Sequence, residues 1–231
     1  AYFLHRRYTF KNYQKIGVAI HLNKSNSVSD IYSKIKNFTD FIHIDLIDET
    51  YNSENISVDI EILNNIRELW PLKKLQIHIM SKNPNFWINQ LPKLRNTEVF
   101  FHYDENIDIE QTSSLILSKN FIPGIVLHNQ ISQSQIIKLM NSFSNFMVLC
   151  VEKAGFSGQV FQSKYSDLIN ELIKITEQLN DVKVTLDGGI TPKVASKFNV
   201  QEVVSASSIL NNEDPNKQII NFQTSQKYED S

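Results

Sequence analysis

Apolar residues in this chain gather in short, almost unbroken runs, and the stretches between them carry a helical period. Runs at residues 16–22, 41–46, 74–79, 98–102, 122–127, 146–151, 182–186 and 202–205 read as strands. A strand with one wet face alternates polar and apolar residues, whereas a continuous run fits a parallel strand covered on both faces. Between the runs, Val28, Ile31, Ile35 and Phe38 recur at helical spacing and predict one buried helix face. Leu168, Leu172, Ile175 and Leu179 predict another. Asn83-Pro84, Thr191-Pro192 and Asp214-Pro215 each pair an N-cap side chain with proline at the first helical position, where no N–H is needed. Strands and helices therefore alternate, and the expected architecture is α/β, a closed (β/α)8 barrel forming one domain over residues 1–231. An open doubly wound sheet is the alternative. It would usually place a glycine-rich turn after its first strand, and residues 16–25 have none.

Composition narrows the function classes. The 231 residues suit one large domain with a buried core. A formal net charge of −2 argues against a dedicated nucleic-acid binder, which needs surplus Lys and Arg, but leaves room for a small phosphate pocket. No apolar run approaches the ~18 residues of a membrane span. The one cysteine, Cys150, lies inside an apolar run and is expected as a buried thiol in a reducing compartment. Residues 1–13 are basic and aromatic, lack the apolar core of a secretory signal, and are expected as a lead-in segment. Residues 224–231 are polar and are expected as a flexible tail. A cytoplasmic enzyme-sized domain is the expectation, with neither nucleic acid nor membrane as partner.

Chemistry enters at the strand ends. Three of the runs finish in His43-x-Asp45, in His78-x-Met80 and in Asp187-Gly188-Gly189. Residues two apart on a strand point to the same side, so His43 and Asp45 share a face. In a parallel barrel the C-terminal strand ends converge at one mouth, where active sites of this architecture lie. His43, Asp45, His78 and Asp187 would then form a set of two imidazoles and two carboxylates. Such a set suits one divalent ion, Zn, Fe, Mn or Co.

The order and spacing of these pieces resemble the ribulose-phosphate 3-epimerase family over roughly residues 15–210. The resemblance rests on Lys15-Ile16-Gly17, His43-Ile44-Asp45-Leu46-Ile47-Asp48, Ile77-His78-Ile79-Met80, Phe101-His102, Gly155-Phe156-Ser157-Gly158-Gln159, Leu186-Asp187-Gly188-Gly189-Ile190 and the VSASSI stretch from Val204 to Ile209. It implies a TIM barrel of the ribulose-phosphate-binding type. His43, Asp45, His78 and Asp187 occupy the family's metal positions, and Asp45 and Asp187 its acid/base pair. The implied reaction inverts C3 of a ketose phosphate such as ribulose 5-phosphate through an enediolate. One carboxylate on each face of the carbon removes and returns the proton. The resemblance further implies a phosphate grip at Ser157, Gly158, Gly188, Gly189, Ala206 and Ser207, with Met80 over the sugar. A homo-oligomer is expected on the same ground.

Several positions depart from the family pattern. Ala19 stands where the family has a serine, which removes a hydroxyl contact. Asp48-Glu49-Thr50 replaces an Asp-Gly turn, Leu127-His128-Asn129-Gln130 replaces a Pro-Gly ending, and Lys153-Ala154 replaces one proline. Of the family's methionines over the intermediate only Met80 persists, with Ile47 and Leu149 at the other places. The metal and acid/base positions are intact while sugar-contacting and lid positions have drifted, a pattern that suggests a changed substrate. Two alternatives remain: a sugar-phosphate-binding or partner-binding barrel without turnover, and a decarboxylase of similar architecture. The latter would want a lysine–aspartate array at the strand ends. His102 is expected in a supporting role more than in the pocket wall, and His128 near the mouth. His5 and His21 are read as structural, and Trp70 and Trp87 as packing residues.

Overall fold

Eight parallel strands close into a barrel in chain order: β1 (Lys15–His21), β2 (Phe41–Ile47), β3 (Lys74–Met80), β4 (Thr97–His102), β5 (Ile122–Leu127), β6 (Asn145–Leu149), β7 (Lys183–Asp187) and β8 (Glu202–Ser205). The coordinates are a computed structural model that describes residues 13–23, 27–54, 57–179 and 181–225. His5 lies outside the described residues, as does the lead-in segment apart from Tyr13 and the tail apart from Thr224 and Ser225. Helices α1 (Val28–Ile35), α2 (Ile62–Leu69), α3 (Pro84–Gln90), α4 (Ile109–Ser118), α5 (Gln133–Leu139), α6 (Ser166–Thr176), α7 (Pro192–Ala195), α8 (Ser207–Leu210) and α9 (Pro215–Gln223) lie between and after the strands. No helix of the described residues is long and apolar enough to cross a membrane.

The continuous apolar runs are explained by two separate cores. One set of strand side chains, including Ile16, Ile42, Ile44 and Ile77, packs outward against the helices. The alternate set points inside, where Phe100, Val126, Met147, Leu149 and Val151 form one cluster and Ala19, Phe41 and Val204 another. The inner space is narrow. A Cβ on Gly17 would lie 2.2 Å from the Phe41 ring, so glycine on β1 is what admits an aromatic ring from β2.

At the N-terminal end the interior is charged. Lys74 pairs with Glu202 and Lys183 with Glu98, and the crossed contacts are 3.3 Å for Lys74–Glu98 and 3.4 Å for Lys183–Glu202. Gln76 sits above them and donates to Glu98 Oε2 and Glu202 Oε2, each at 3.2 Å. Alternating signs around a ring let two buried carboxylates and two partly buried ammonium groups satisfy one another.

Two helix expectations need correction. Phe38 is half-exposed because α1 ends at Ile35 and Lys36 turns the chain with a positive φ of 44°. Leu179 is likewise exposed beyond the end of α6. Thr191 and Asp214 cap α7 and α9 through their side chains, but Asn83 makes no side-chain cap before Pro84. There the Ser81 hydroxyl accepts from the Asn83 N–H and holds the turn.

Candidate active site and metal centre

Parallel register brings the mouth residues level. His21 on β1 pairs with Asp45 on β2, and Asp45 pairs with His78 on β3. Asp187, the last residue of β7, pairs with Leu149 on β6. Four ligand-type atoms meet across this ring, all within 4.8 Å of one another. His43 Nε2 lies 3.1 Å from Asp45 Oδ1 and 3.5 Å from Asp187 Oδ2. His78 Nδ1 lies 3.2 Å and 3.3 Å from the same two oxygens.

The donor set fits a transition-metal ion. Bonds of roughly 2.0–2.2 Å in a four-coordinate site put neighbouring ligand atoms about 3.3–3.6 Å apart, close to the separations found here. His78 Nδ1 is fully buried and makes no hydrogen bond of acceptable geometry, although two carboxylate oxygens are near it. It is aimed between them, as a ligand of a shared cation would be.

The surrounding hydrogen bonds leave the required lone pairs bare. His43 Nδ1 donates to Gln76 Oε1 at 2.7 Å, which assigns Nε2 to the cluster. His78 Nε2 is 2.9 Å from His102 Nε2 in a stacked arrangement. Burial, with His78 and His128 beside it, holds His102 well below the usual histidine range. His102 is thus a neutral acceptor for the His78 Nε2–H, and Nδ1 is left for the cluster. Burial alone would lower the pKa of His43, but Asp45 and Asp187 outweigh it and raise the value to about 9. Burial would raise Asp45, yet His43, His21 and His78 hold it well below the carboxylate range. A cation placed among these atoms competes with the proton on His43, since ligands bind deprotonated.

A cavity of about 480 Å³ opens over the carboxylates, with Asp45 and Asp187 in its wall and His43 and His78 beneath. Every residue expected in the phosphate grip lines it: Ser157 and Gly158, Gly188 and Gly189, Ala206 and Ser207. Met80, Ile47 and Leu149 line it too, so all three positions compared with the family's methionines put apolar side chains in the wall. Gly189 has φ 68°, and a Cβ there would lie 2.2 Å from the Phe161 backbone nitrogen. Only glycine lets these two loops touch. Among the described residues no lysine or arginine lines the cavity.

The drifted loops are held by contacts of their own. Gln159 takes the Lys153 N–H at 3.0 Å and donates to Lys153 O at 2.7 Å and Phe156 O at 2.6 Å, which closes the lengthened loop after β6. Asn52 Nδ2 donates to Gly155 O at 2.9 Å, tying that loop to the one after β2. In the altered Asp48-Glu49-Thr50 turn, Asp48 accepts from Thr50 N at 2.9 Å and from Trp87 Nε1 at 2.8 Å.

His102 sits behind His78, outside the cavity wall, and His128 is bonded to Leu149 O and to the Tyr165 hydroxyl. Cys150 is buried and burial pushes its thiol pKa up, so it is no nucleophile. One residue read as structural belongs to the site: His21 lines the cavity with Nε2 3.3 Å from Asp45 Oδ2. Its place two residues past Ala19 on one strand was the available signal. Gln76 was also missed, although it stands two residues before His78 on the same face.

Fold and cluster together define a β/α barrel with a metal-capable mouth. The profile of the ribulose-phosphate 3 epimerase family matches residues 12–210, and the chain belongs to that family. Ribulose-phosphate 3-epimerase of Aquifex aeolicus is 27% identical over 179 residues, 77% of each chain. The protein of that name from Buchnera aphidicola subsp. Acyrthosiphon pisum is 25% identical over 162 residues, 70% of each chain. Among solved structures, the 3-keto-L-gulonate-6-phosphate decarboxylase of Vibrio cholerae superposes with a TM-score of 0.67 at 10% identity, covering 93% of this chain and 97% of the other. The 3-hexulose-6-phosphate synthase of Salmonella typhimurium gives 0.65 at 13% identity, covering 92% and 98%. At such identities these likenesses show the fold alone.

Proposed function

We propose that the protein is a metal-dependent epimerase that inverts C3 of a phosphorylated ketose, with ribulose 5-phosphate and xylulose 5-phosphate as the expected pair. The observation that carries this is the joint cluster of His43, Asp45, His78 and Asp187 directly beneath the cavity. In this proposal those four residues hold one divalent ion, Zn, Fe, Mn or Co, which supplies positive charge to the substrate oxygens beside the reacting carbon. Asp45 and Asp187 come from β2 and β7, on different sides of the mouth. Each turns one oxygen to the cluster, so one carboxylate takes the C3 proton from its face and the other returns a proton to the opposite face. Ile47, Met80 and Leu149 keep water from the carbanionic centre. Backbone groups at Ser157, Gly158, Gly188, Gly189, Ala206 and Ser207 grip the phosphate, in keeping with a described cavity wall that has no cationic side chain. A wall without lysine also weighs against decarboxylase chemistry. One barrel domain working as a homo-oligomer in a reducing, cytoplasmic setting belongs to the same proposal.

The test is proton NMR in deuterated water with metal-replete protein and a panel of pentulose and hexulose phosphates. Deuterium should enter at C3, and Asp45→Asn or Asp187→Asn should each slow entry by about 10²–10⁴-fold. The second reading, a sugar-phosphate-binding or partner-binding barrel without turnover, is favoured by the hydroxyl missing at Ala19 and by the altered lid. Silence across the panel with metal verified would favour it instead.

A further inference from the structure

Asp45 has two oxygens with different neighbours. Oδ1 faces His43 Nε2 at 3.1 Å and His78 Nδ1 at 3.2 Å, inside the ligand cluster. Oδ2 faces His21 Nε2 at 3.3 Å, on the cavity side. His21 and Asp45 are paired in register on adjacent strands, so this contact is built into the barrel and does not depend on a loop. His21 also lines the cavity beside Ala19, whose side chain faces the same way two residues earlier on β1.

We propose that His21 is a positioning residue: its Nε2–H holds Asp45 Oδ2 toward the cavity, leaving Oδ1 to the metal and Oδ2 to the substrate proton. A carboxylate free to rotate about its last bond would swing Oδ1 out of the ligand cluster and Oδ2 away from the reacting carbon, weakening both the metal site and the base. A donor on one oxygen prevents that, as outer hydrogen bonds generally orient metal-ligating carboxylates. The imidazole occupies the stretch of β1 wall where the hydroxyl at position 19 is lacking. The functional half of this inference rests on the epimerase proposal, while the orienting half concerns Asp45 and the metal alone.

His21→Leu removes the donor at similar bulk, and His21→Gln keeps an N–H at nearly the same reach. Both variants are titrated with Co2+ alone and followed by calorimetry and by the cobalt absorption bands, with melting temperature as the check on folding. Co2+ binding should weaken about tenfold in His21→Leu and recover to within about threefold of the parent in His21→Gln. In the deuterium wash-in assay the His21→Leu rate constant should fall about tenfold with KM little changed, again recovering in His21→Gln. Unaltered Co2+ affinity in His21→Leu overturns the inference. So does equal impairment of both variants at the parent's melting temperature. If the parent itself exchanges no ketose-phosphate proton, the epimerase proposal fails, and the Co2+ titration still decides whether His21 orients Asp45.

Discussion

Gln76→Met offers a direct test of how the charged barrel floor supports the cluster. Methionine keeps the side-chain length, so the cavity contribution is small, but it removes every hydrogen bond the amide makes. In the native barrel Gln76 Oε1 accepts from His43 Nδ1 at 2.7 Å, and Nε2 donates to Glu98 and Glu202 at 3.2 Å each. The buried His43 N–H would be left without its acceptor, at a cost of about 1–3 kcal/mol. Each carboxylate keeps its lysine partners, so the loss there lies near the lower end of the roughly 1.5–3 kcal/mol that a hydrogen bond to a charged group contributes. A total of about 4–6 kcal/mol is a large part of the roughly 5–15 kcal/mol that keeps a domain folded. Freed from Gln76, the His43 ring also loses its fixed tautomer, and metal affinity should fall about 10–100-fold. Urea unfolding of the chelated protein measures the first effect, and a Co2+ titration at a temperature where the variant is folded measures the second. A stability loss under about 1 kcal/mol together with parental Co2+ affinity would refute the coupling of floor to mouth.

Other predictions follow from single contacts. Burial alone would raise the Glu98 pKa, but Lys74 and Lys183 outweigh it and hold the carboxyl below its ordinary 4.5. Its stabilisation is therefore complete above that value and lost as pH falls through the lower folded-state pKa, so acid unfolding should be shallower in Glu98→Gln than in the parent. Saturating Co2+ at about 100 times its Kd should stabilise the protein by about 2.7 kcal/mol, a rise of roughly 5–11 °C in melting temperature. A chelator should reverse that rise, and Asp187→Asn should abolish it. Gly189→Ala places a Cβ 2.2 Å from Phe161 N at a φ of 68°, so it should cost more than about 1 kcal/mol and raise KM for the phosphorylated substrate. Urea unfolding and wash-in kinetics check the two halves.

Most of the barrel was legible because parallel strands covered on both sides leave unbroken apolar runs, and all eight runs overlap the observed strands. The strand ends were less so: the run through Val151 continues past the end of β6 at Leu149, because Val151 belongs to the interior cluster without a ladder partner. The four metal-type residues stood out because histidine and aspartate are rare in such runs. His21 and Gln76 did not, since the meaning of each comes from a neighbouring strand: Asp45 for the one, His43 for the other. Helix faces failed at their last residues, Phe38 and Leu179, where periodicity continues and the helix does not.

The layers of the barrel also explain where sequence drift could be tolerated. His43 rests on Gln76, Gln76 rests on two buried glutamates, and these rest on the partly buried Lys74 and Lys183, so altering Gln76 or either glutamate disturbs groups that have no water to turn to. The loop after β6 depends on no such stack. It closes on itself through Gln159 and touches the rest through Asn52, the Tyr165 hydroxyl on Val151 O, the Lys164 pair with Glu152 and the glycine contact at position 189. An added residue there changes the cavity wall without unsettling the cluster. At β1 the hydroxyl lost at Ala19 and the imidazole present at His21 lie on one strand face, where one donor can stand in for another. Selectivity can therefore move at the wall while the carboxylates proposed to transfer the proton stay in register, and the four-residue cluster beneath the cavity fits that division.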